Sequence, residues 1–221
     1  MTAEDGTSRT YLTTVKLALN QKEILLKIAE ANPGNTLDWN EEDNLSDWEE
    51  VVLDGDGKVA ELNLTGKGLT VLPPEIGQLG NLEYLDLRLS ELVALPPEIG
   101  QLNNLTFLSL SGNELKALPP EIGQLSNLKE LYIRNNVLEA LPYQIGQLGN
   151  LISLDLRGNV LKALPSEIGQ LGNLKILLLA NNFFEALPPE LGQLGNLTSL
   201  SLYNNKLKAL PPEIAQLSNL I

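Results

Sequence analysis

From Val59 onward one pattern of apolar positions returns every 23 residues. Val59, Leu82, Leu105, Leu128, Leu151, Leu174, Leu197 and Leu220 each open a unit. Seven complete units fill 59–219 without insertion or deletion, and an eighth begins at Leu220. With the opening residue as position 1, positions 1, 4, 6, 11, 14, 18 and 21 are apolar throughout; in the third unit they are Leu105, Leu108, Leu110, Leu115, Leu118, Ile122 and Leu125. The opening stretch alternates with period two, which predicts one short strand per unit. Position 15 is Pro in all seven units and is usually followed two residues later by Glu. A Pro opening with an acid in the first turn predicts a short helical segment on the opposite side of each coil.

A lone unit cannot fold. The aliphatic side chains it could bury do not offset the entropy of ordering its backbone, so neighbouring coils must complete its core. The polar positions fit the same picture. Position 9 is Asn in five units (Asn113, Asn136, Asn159, Asn182 and Asn205), and position 23 is Asn in all seven. An amide both donates and accepts, so a stacked Asn ladder can satisfy the backbone groups left open where a coil bends. Lys67 and Ser90 replace the position-9 Asn in the first two units, so the ladder is expected to be incomplete there.

The string L-x-x-L-x-L-x-x-N-x-L, followed by x-x-L-P-x-E-I-G-Q-L-x-N, resembles the leucine-rich-repeat superfamily. The 23-residue form resembles its bacterial and plant intracellular Ras-group-related types. The resemblance implies an α/β solenoid: a right-handed horseshoe with a parallel β-sheet on the concave side, short helical or 3-10 segments on the convex side, and a helical N-terminal cap.

Residues 1–58 carry no repeat and read as that cap, with 59–221 as the repeat region. Leu12, Val15, Leu19, Ile24, Leu25 and Ile28 predict one long or two short helices within 10–31, divided near Asn20 and stopped by Asn32-Pro33-Gly34. Trp39 and Trp48 follow as expected cap core. An Asp-Gly pair between Val51-Val52-Leu53 and Val59 predicts a hairpin. The order of helix, two Trp and V-x-x-D-G-x-V-x-x-L-x-L resembles the caps of plant receptors and related bacterial proteins, without their Cys pair. Asp54-Gly-Asp56-Gly resembles the start of a calcium loop, but the downstream Glu is not at its required spacing, so no calcium site is expected.

Composition narrows the chemistry. The chain has neither Cys nor His, which removes thiol nucleophiles, imidazole bases and the usual zinc ligands. No cofactor is expected, and a Walker-type phosphate loop is absent. Net charge is -13: -8 in residues 1–58 and -5 in 59–221. That balance argues against nucleic acid and anionic membrane and favours a protein partner with a basic face. No apolar run approaches the length of a membrane span, and no signal peptide is visible, which favours the cytoplasm. The sequence stops at Leu220-Ile221 in mid-strand; this predicts either a fragment of a longer protein or an edge able to self-associate.

Candidate function lies in the strand positions that point away from the core. Position 3 reads Glu61, Tyr84, Phe107, Glu130, Ser153, Ile176, Ser199. Position 5 reads Asn63, Asp86, Ser109, Tyr132, Asp155, Leu178, Ser201, and position 7 reads Thr65, Arg88, Ser111, Arg134, Arg157, Ala180, Tyr203. Position 8 falls at the strand's end. These columns vary between units while the core positions hardly change. They hold four of the seven Phe and Tyr residues of the repeats and all three of their Arg. Aromatic and Arg side chains are the commonest binding hot spots. Tyr84, Phe107 and Tyr132, flanked by Arg88, Arg134 and Arg157, are therefore the expected partner-binding patch, joined by Tyr203. Ile176 and Leu178, with Phe183, form a second candidate. The alternative is a tolerant surface that has drifted, with Arg–Asp pairs merely solvating it. Carboxylates such as Asp86 and Glu61 lie in these columns too, but without a cleft nothing is expected to desolvate them for catalysis. The Asn-Leu-Thr triplets at 63, 104 and 196 follow from the repeat pattern and read as structural.

A non-catalytic protein-binding module is the leading expectation. A sensing region of a larger signalling protein, such as a Roco-type GTPase, and a self-assembling structural protein are the alternatives. A repeat-bearing bacterial ubiquitin ligase would need a catalytic Cys, which the sequence lacks.

Overall fold

The computed structural model describes residues 19–221. A single open sheet runs the length of the described chain in the order β1 to β8. Its strands are β1 (Val51–Leu53), β2 (Val59–Asn63), β3 (Tyr84–Asp86), β4 (Phe107–Ser109), β5 (Glu130–Tyr132), β6 (Ser153–Asp155), β7 (Ile176–Leu178) and β8 (Ser199–Ser201). β1 and β2 pair antiparallel, and every later pair is parallel. The parallel register is constant at 23 residues, as in Tyr84↔Phe107 and Leu85↔Leu108. Each column read from the sequence is therefore a row of cross-strand neighbours.

The core is the predicted one. Leu108 and Leu110 are fully buried, as are their equivalents in the neighbouring coils. On the far side, seven 3-10 helices, from Pro74–Gln78 to Pro212–Gln216, stack at positions 16–20. The position-15 Pro does not open them, contrary to the sequence expectation. It is the N-cap, in extended conformation (Pro73 φ -72°, ψ 153°), and position 16 begins the helix. The small Gly at position 19 lets adjacent coils touch there, because a Cβ on Gly123 would stand 2.5 Å from the Gln144 carbonyl oxygen.

Asparagine stitches the opposite bend. Asn136 accepts from the Leu115 N–H at 3.0 Å and donates to the Leu110 and Ile133 carbonyls at 2.9 and 3.2 Å. Asn113, Asn159, Asn182 and Asn205 make corresponding bonds. A second, exposed row uses position 23, where Asn104 donates to the Gly80 carbonyl at 2.7 Å and each later coil repeats the bond. In the second coil, Ser90 is buried and its hydroxyl lacks a partner.

Two further rows follow a period of two coils over part of the array, position 12 from the third coil onward and position 8 through the sixth. Position 12 alternates Lys116, Glu139, Lys162, Glu185, Lys208. At position 8, a side chain leans over the Gly of the next coil: Leu89 over Gly112 and Asn135 over Gly158.

The N-terminal segment closes the first coil through polar contacts without repeat equivalents. One helix, α1 (Gln21–Glu30), is capped by Asn20 and Glu23 in a reciprocal capping box; of the residues proposed for an earlier helix, Leu19 is not helical and Leu12 and Val15 lie outside those described. Buried Asn32 takes over from the missing Asn ladder, accepting from the N–H groups of Thr70 and Val71 and donating to the Val71 carbonyl. Trp39 and Trp48 stack at 4.7 Å with both rings buried. The Asp54–Gly57 stretch forms the hairpin turn, with Gly57 at φ +73°. Asp54 spends its oxygens on the N–H groups of Asp56 and Lys58 and on the Asn81 amide.

Glu50 ties this segment to the first coil. It accepts from the Trp39 indole at 2.9 Å and pairs with Lys67 at 2.5 Å. Burial opposes its ionisation, but the Lys67 and Trp39 hydrogen bonds outweigh burial and hold the carboxyl below its usual range. A depressed folded value contributes stability above the ordinary carboxylate pKa and loses it as pH falls through the folded one. Glu50→Gln should therefore cost about 1–2 kcal/mol at neutral pH. Thermal melts from about pH 7 to pH 3 should show the gap between the two proteins closing on acidification; a constant gap would refute this role.

Candidate partner-binding groove

Positions 3, 5 and 7 point away from the aliphatic core, onto the concave face. Over the third coil the floor is low, because its residues there are Ser109, Ser111 and Gly112. The neighbouring coils stand higher: Tyr84, Arg88 and Leu89 on one side, Tyr132, Arg134 and Asn135 on the other. The result is a groove of about 540 Å³, which Phe107, Asp155 and Arg157 also line. Six of the nine residues expected to bind a partner thus converge on one depression. Ile176, Leu178 and Tyr203 lie outside it. Phe183 sits past the left-handed turn at Asn181, beneath the Lys206 ammonium at 4.8 Å.

The aromatic wall is continuous. Tyr84 and Phe107 stack at 4.3 Å with an interplanar angle of 8°, and Phe107 meets Tyr132 edge-on at 5.5 Å. Burial raises both phenol pKa values, and Asp86 beside Tyr84 and Glu130 beside Tyr132 raise them further. Both hydroxyls remain protonated donors, to Asp86 at 3.3 Å and to Glu130 at 2.5 Å.

The outward face is not uniformly exposed, which corrects the expectation that nothing there is desolvated. Asp86 is 0% and Asp155 3% exposed, and Ser109, Ser111 and Ser153 are also buried. The inward curvature of the sheet crowds its concave side chains, so large residues cover small ones. Each buried carboxylate is neutralised within its own coil. Arg88 pairs with Asp86 and Arg157 with Asp155, both at 2.6 Å, with additional guanidinium hydrogen bonds. These bonds raise both Arg pKa values. Both carboxylates are committed to these ion pairs. Among the described residues, no group of three or more His, Cys, Asp or Glu is placed to hold a metal ion.

Leu89 is the feature that sequence reasoning missed. Position 8 is left-handed in every coil, with φ between +53° and +71° at Gly66, Leu89, Gly112, Asn135, Gly158, Asn181 and Asn204. Gly and Asn tolerate that conformation; Leu does not, at a cost of about 1–2 kcal/mol. Yet Leu89 is 68% exposed on the groove's lip. One Leu in a column otherwise of Gly and Asn was the available signal. Leu89→Asn should raise stability by about 0.5–1 kcal/mol, read by urea unfolding; a loss of stability would mean that Leu89 is not strained.

The family described as "Leucine-rich repeat region" matches residues 61–136, and "Leucine Rich Repeat" matches 196–217. No curated protein matches the sequence. Among solved structures, a leucine-rich-repeat protein of Leptospira interrogans is 46% identical over 72% of this chain and 41% of its own, with a TM-score of 0.70. The leucine-rich-repeat ectodomain of the Arabidopsis receptor kinase HAESA, solved with an extended IDA peptide hormone, is 30% identical over 92% of this chain and 36% of its own, with a TM-score of 0.79. A plant ice-binding protein is 26% identical over 86% of this chain and 71% of its own, with a TM-score of 0.71. The chain thus spans less than half the length of the first two. Its 23-residue coils, parallel inner sheet and outer 3-10 helices, together with these matches, make it a member of the leucine-rich-repeat superfamily.

Proposed function

We propose that this chain is a non-catalytic interaction module that holds a protein or peptide partner on its concave face. The observation that carries the reading is the groove over the third coil. Three aromatic rings and three Arg, drawn from four different coils, converge there, although the repeat pattern calls for none of them. An apolar wall of this extent is costly to leave in water without a use. Its mixture of aromatic faces, phenol donors and guanidinium groups is the chemistry of interface hot spots. The repeat fold alone does not select a ligand, since its solved relatives include a peptide-hormone receptor and an ice-binding protein. Ile176, Leu178 and Tyr203 extend the same face beyond the groove as secondary contacts. On this reading residues 1–58 serve as a cap, shielding the apolar end of the first coil. The repeats follow the 23-residue bacterial and plant intracellular pattern, and the Asn ladder is structural.

The test is an affinity pull-down from native lysate with the unaltered chain and with Tyr84, Phe107 and Tyr132 all replaced by Ala. Loss of the three rings should weaken capture at least about 100-fold, with the melting temperature little changed. Equal capture by the two proteins would refute the groove as the docking site.

A further inference from the structure

The charge of the groove opposes that of the chain. The protein carries -13 overall, yet its lining includes all three Arg of the repeats against one lining acid, Asp155. Asp86 beneath Tyr84 cancels Arg88, and Asp155 cancels Arg157. Arg134 remains. It is exposed, stands on the wall opposite Leu89, and makes no ion pair among the described residues. Glu130, in the same coil, accepts the Tyr132 hydroxyl instead. The groove therefore presents one unneutralised guanidinium beside a phenol ring, facing an exposed Leu held in a backbone conformation that six other coils give to Gly or Asn. A strained residue persists where the surroundings or a function retain it. Burial does not retain Leu89, because the residue is largely in water.

We propose that the groove selects partner segments in which an acidic side chain adjoins an aliphatic or aromatic one, the carboxylate docking on Arg134 and the apolar group on Leu89. This deepens, and rests on, the groove being the docking site. It also replaces the basic partner expected from net charge alone: the acidic surface surrounds the groove, while the contact itself is cationic. A guanidinium matches a carboxylate with two parallel N–H donors, and the aromatic wall excludes water from one side of that pair.

The test uses random short peptides displayed on phage through their C-termini, so that any carboxylate selected is a side chain. They are panned against the full chain. Asp or Glu beside Leu, Ile, Phe or Tyr should be enriched. The leading peptide, remade with Asn or Gln in place of its acid, should bind about tenfold more weakly. Arg134→Gln should abolish that difference. Leu89→Asn should weaken binding several-fold without lowering the melting temperature. Enrichment of basic or uncharged peptides, equal binding of the acid and amide forms, or a difference that survives Arg134→Gln would overturn the acidic preference alone. If no peptide is enriched, or the triple-alanine protein binds the leading peptide undiminished, the docking site itself is lost and this inference with it.

Discussion

Gly123→Ala should destabilise the protein by about 3 kcal/mol, although it adds a single methyl group. That methyl would lie 2.5 Å from the Gln144 carbonyl oxygen, 2.7 Å from Gln147 Oε1 and 2.9 Å from Gln144 Cβ. The Gln147 side chain can swing aside. The Gln144 carbonyl cannot, because it belongs to the 3-10 helix of the next coil, which is stacked in turn on its neighbours. Relief would require the two coils to part and open the core between them. Two residues frame the expectation. Gly149→Ala has nothing within 4 Å of the added atom and should be close to neutral. Ala215 already fills the equivalent position in the seventh coil, where it is exposed. Urea unfolding of both variants is the measurement, and a loss below about 1 kcal/mol for Gly123→Ala would show that the coils can separate at little cost.

Asn136→Ala is expected to be as damaging for the opposite reason, since it leaves space and an unpaired donor. The Leu115 N–H would lose its partner where water does not reach, while the Leu110 and Ile133 carbonyls would each lose one of two donors and keep Asn113 and Asn159. The unpaired buried donor costs about 1–3 kcal/mol, and the cavity and the two lost carbonyl bonds bring the expected total to about 3 kcal/mol. The same change at Asn205, which is only half-buried in the last full coil, should cost clearly less. Amide hydrogen exchange should also quicken at Leu115 in the first variant. Equal losses at the two sites would mean that solvent access does not set the value of these bonds.

The repeat made most of the fold readable. Leu108 and its equivalents recur at fixed spacing, so strand, register and core follow from counting. Tyr84, Phe107, Tyr132 and the three Arg stood out because they interrupt otherwise tolerant columns, and the constant register then brings them together. What escaped was whatever the repeat does not copy. Asn32 and Glu50 act through single long-range contacts to the first coil, and no periodicity announces them. The burial of Asp86 and Ser109 arises from curvature, which alternation along a strand does not encode. Leu89 was overlooked for a different reason: its oddity is the sign of a backbone angle, visible only when the whole position-8 column is compared.

The paired rows have a consequence for how such an array lengthens. Leu89 overhangs Gly112, and Asn135 overhangs Gly158. Asn204, where a Gly is otherwise expected, is accommodated by donating its amide to Asn181 at 2.8 Å. The Lys and Glu of position 12 alternate in the same rhythm. Within the third to seventh coils, adding or removing one coil would set like charge against like at position 12. There the shortest change of length that preserves the alternation is 46 residues, twice the 23-residue repeat.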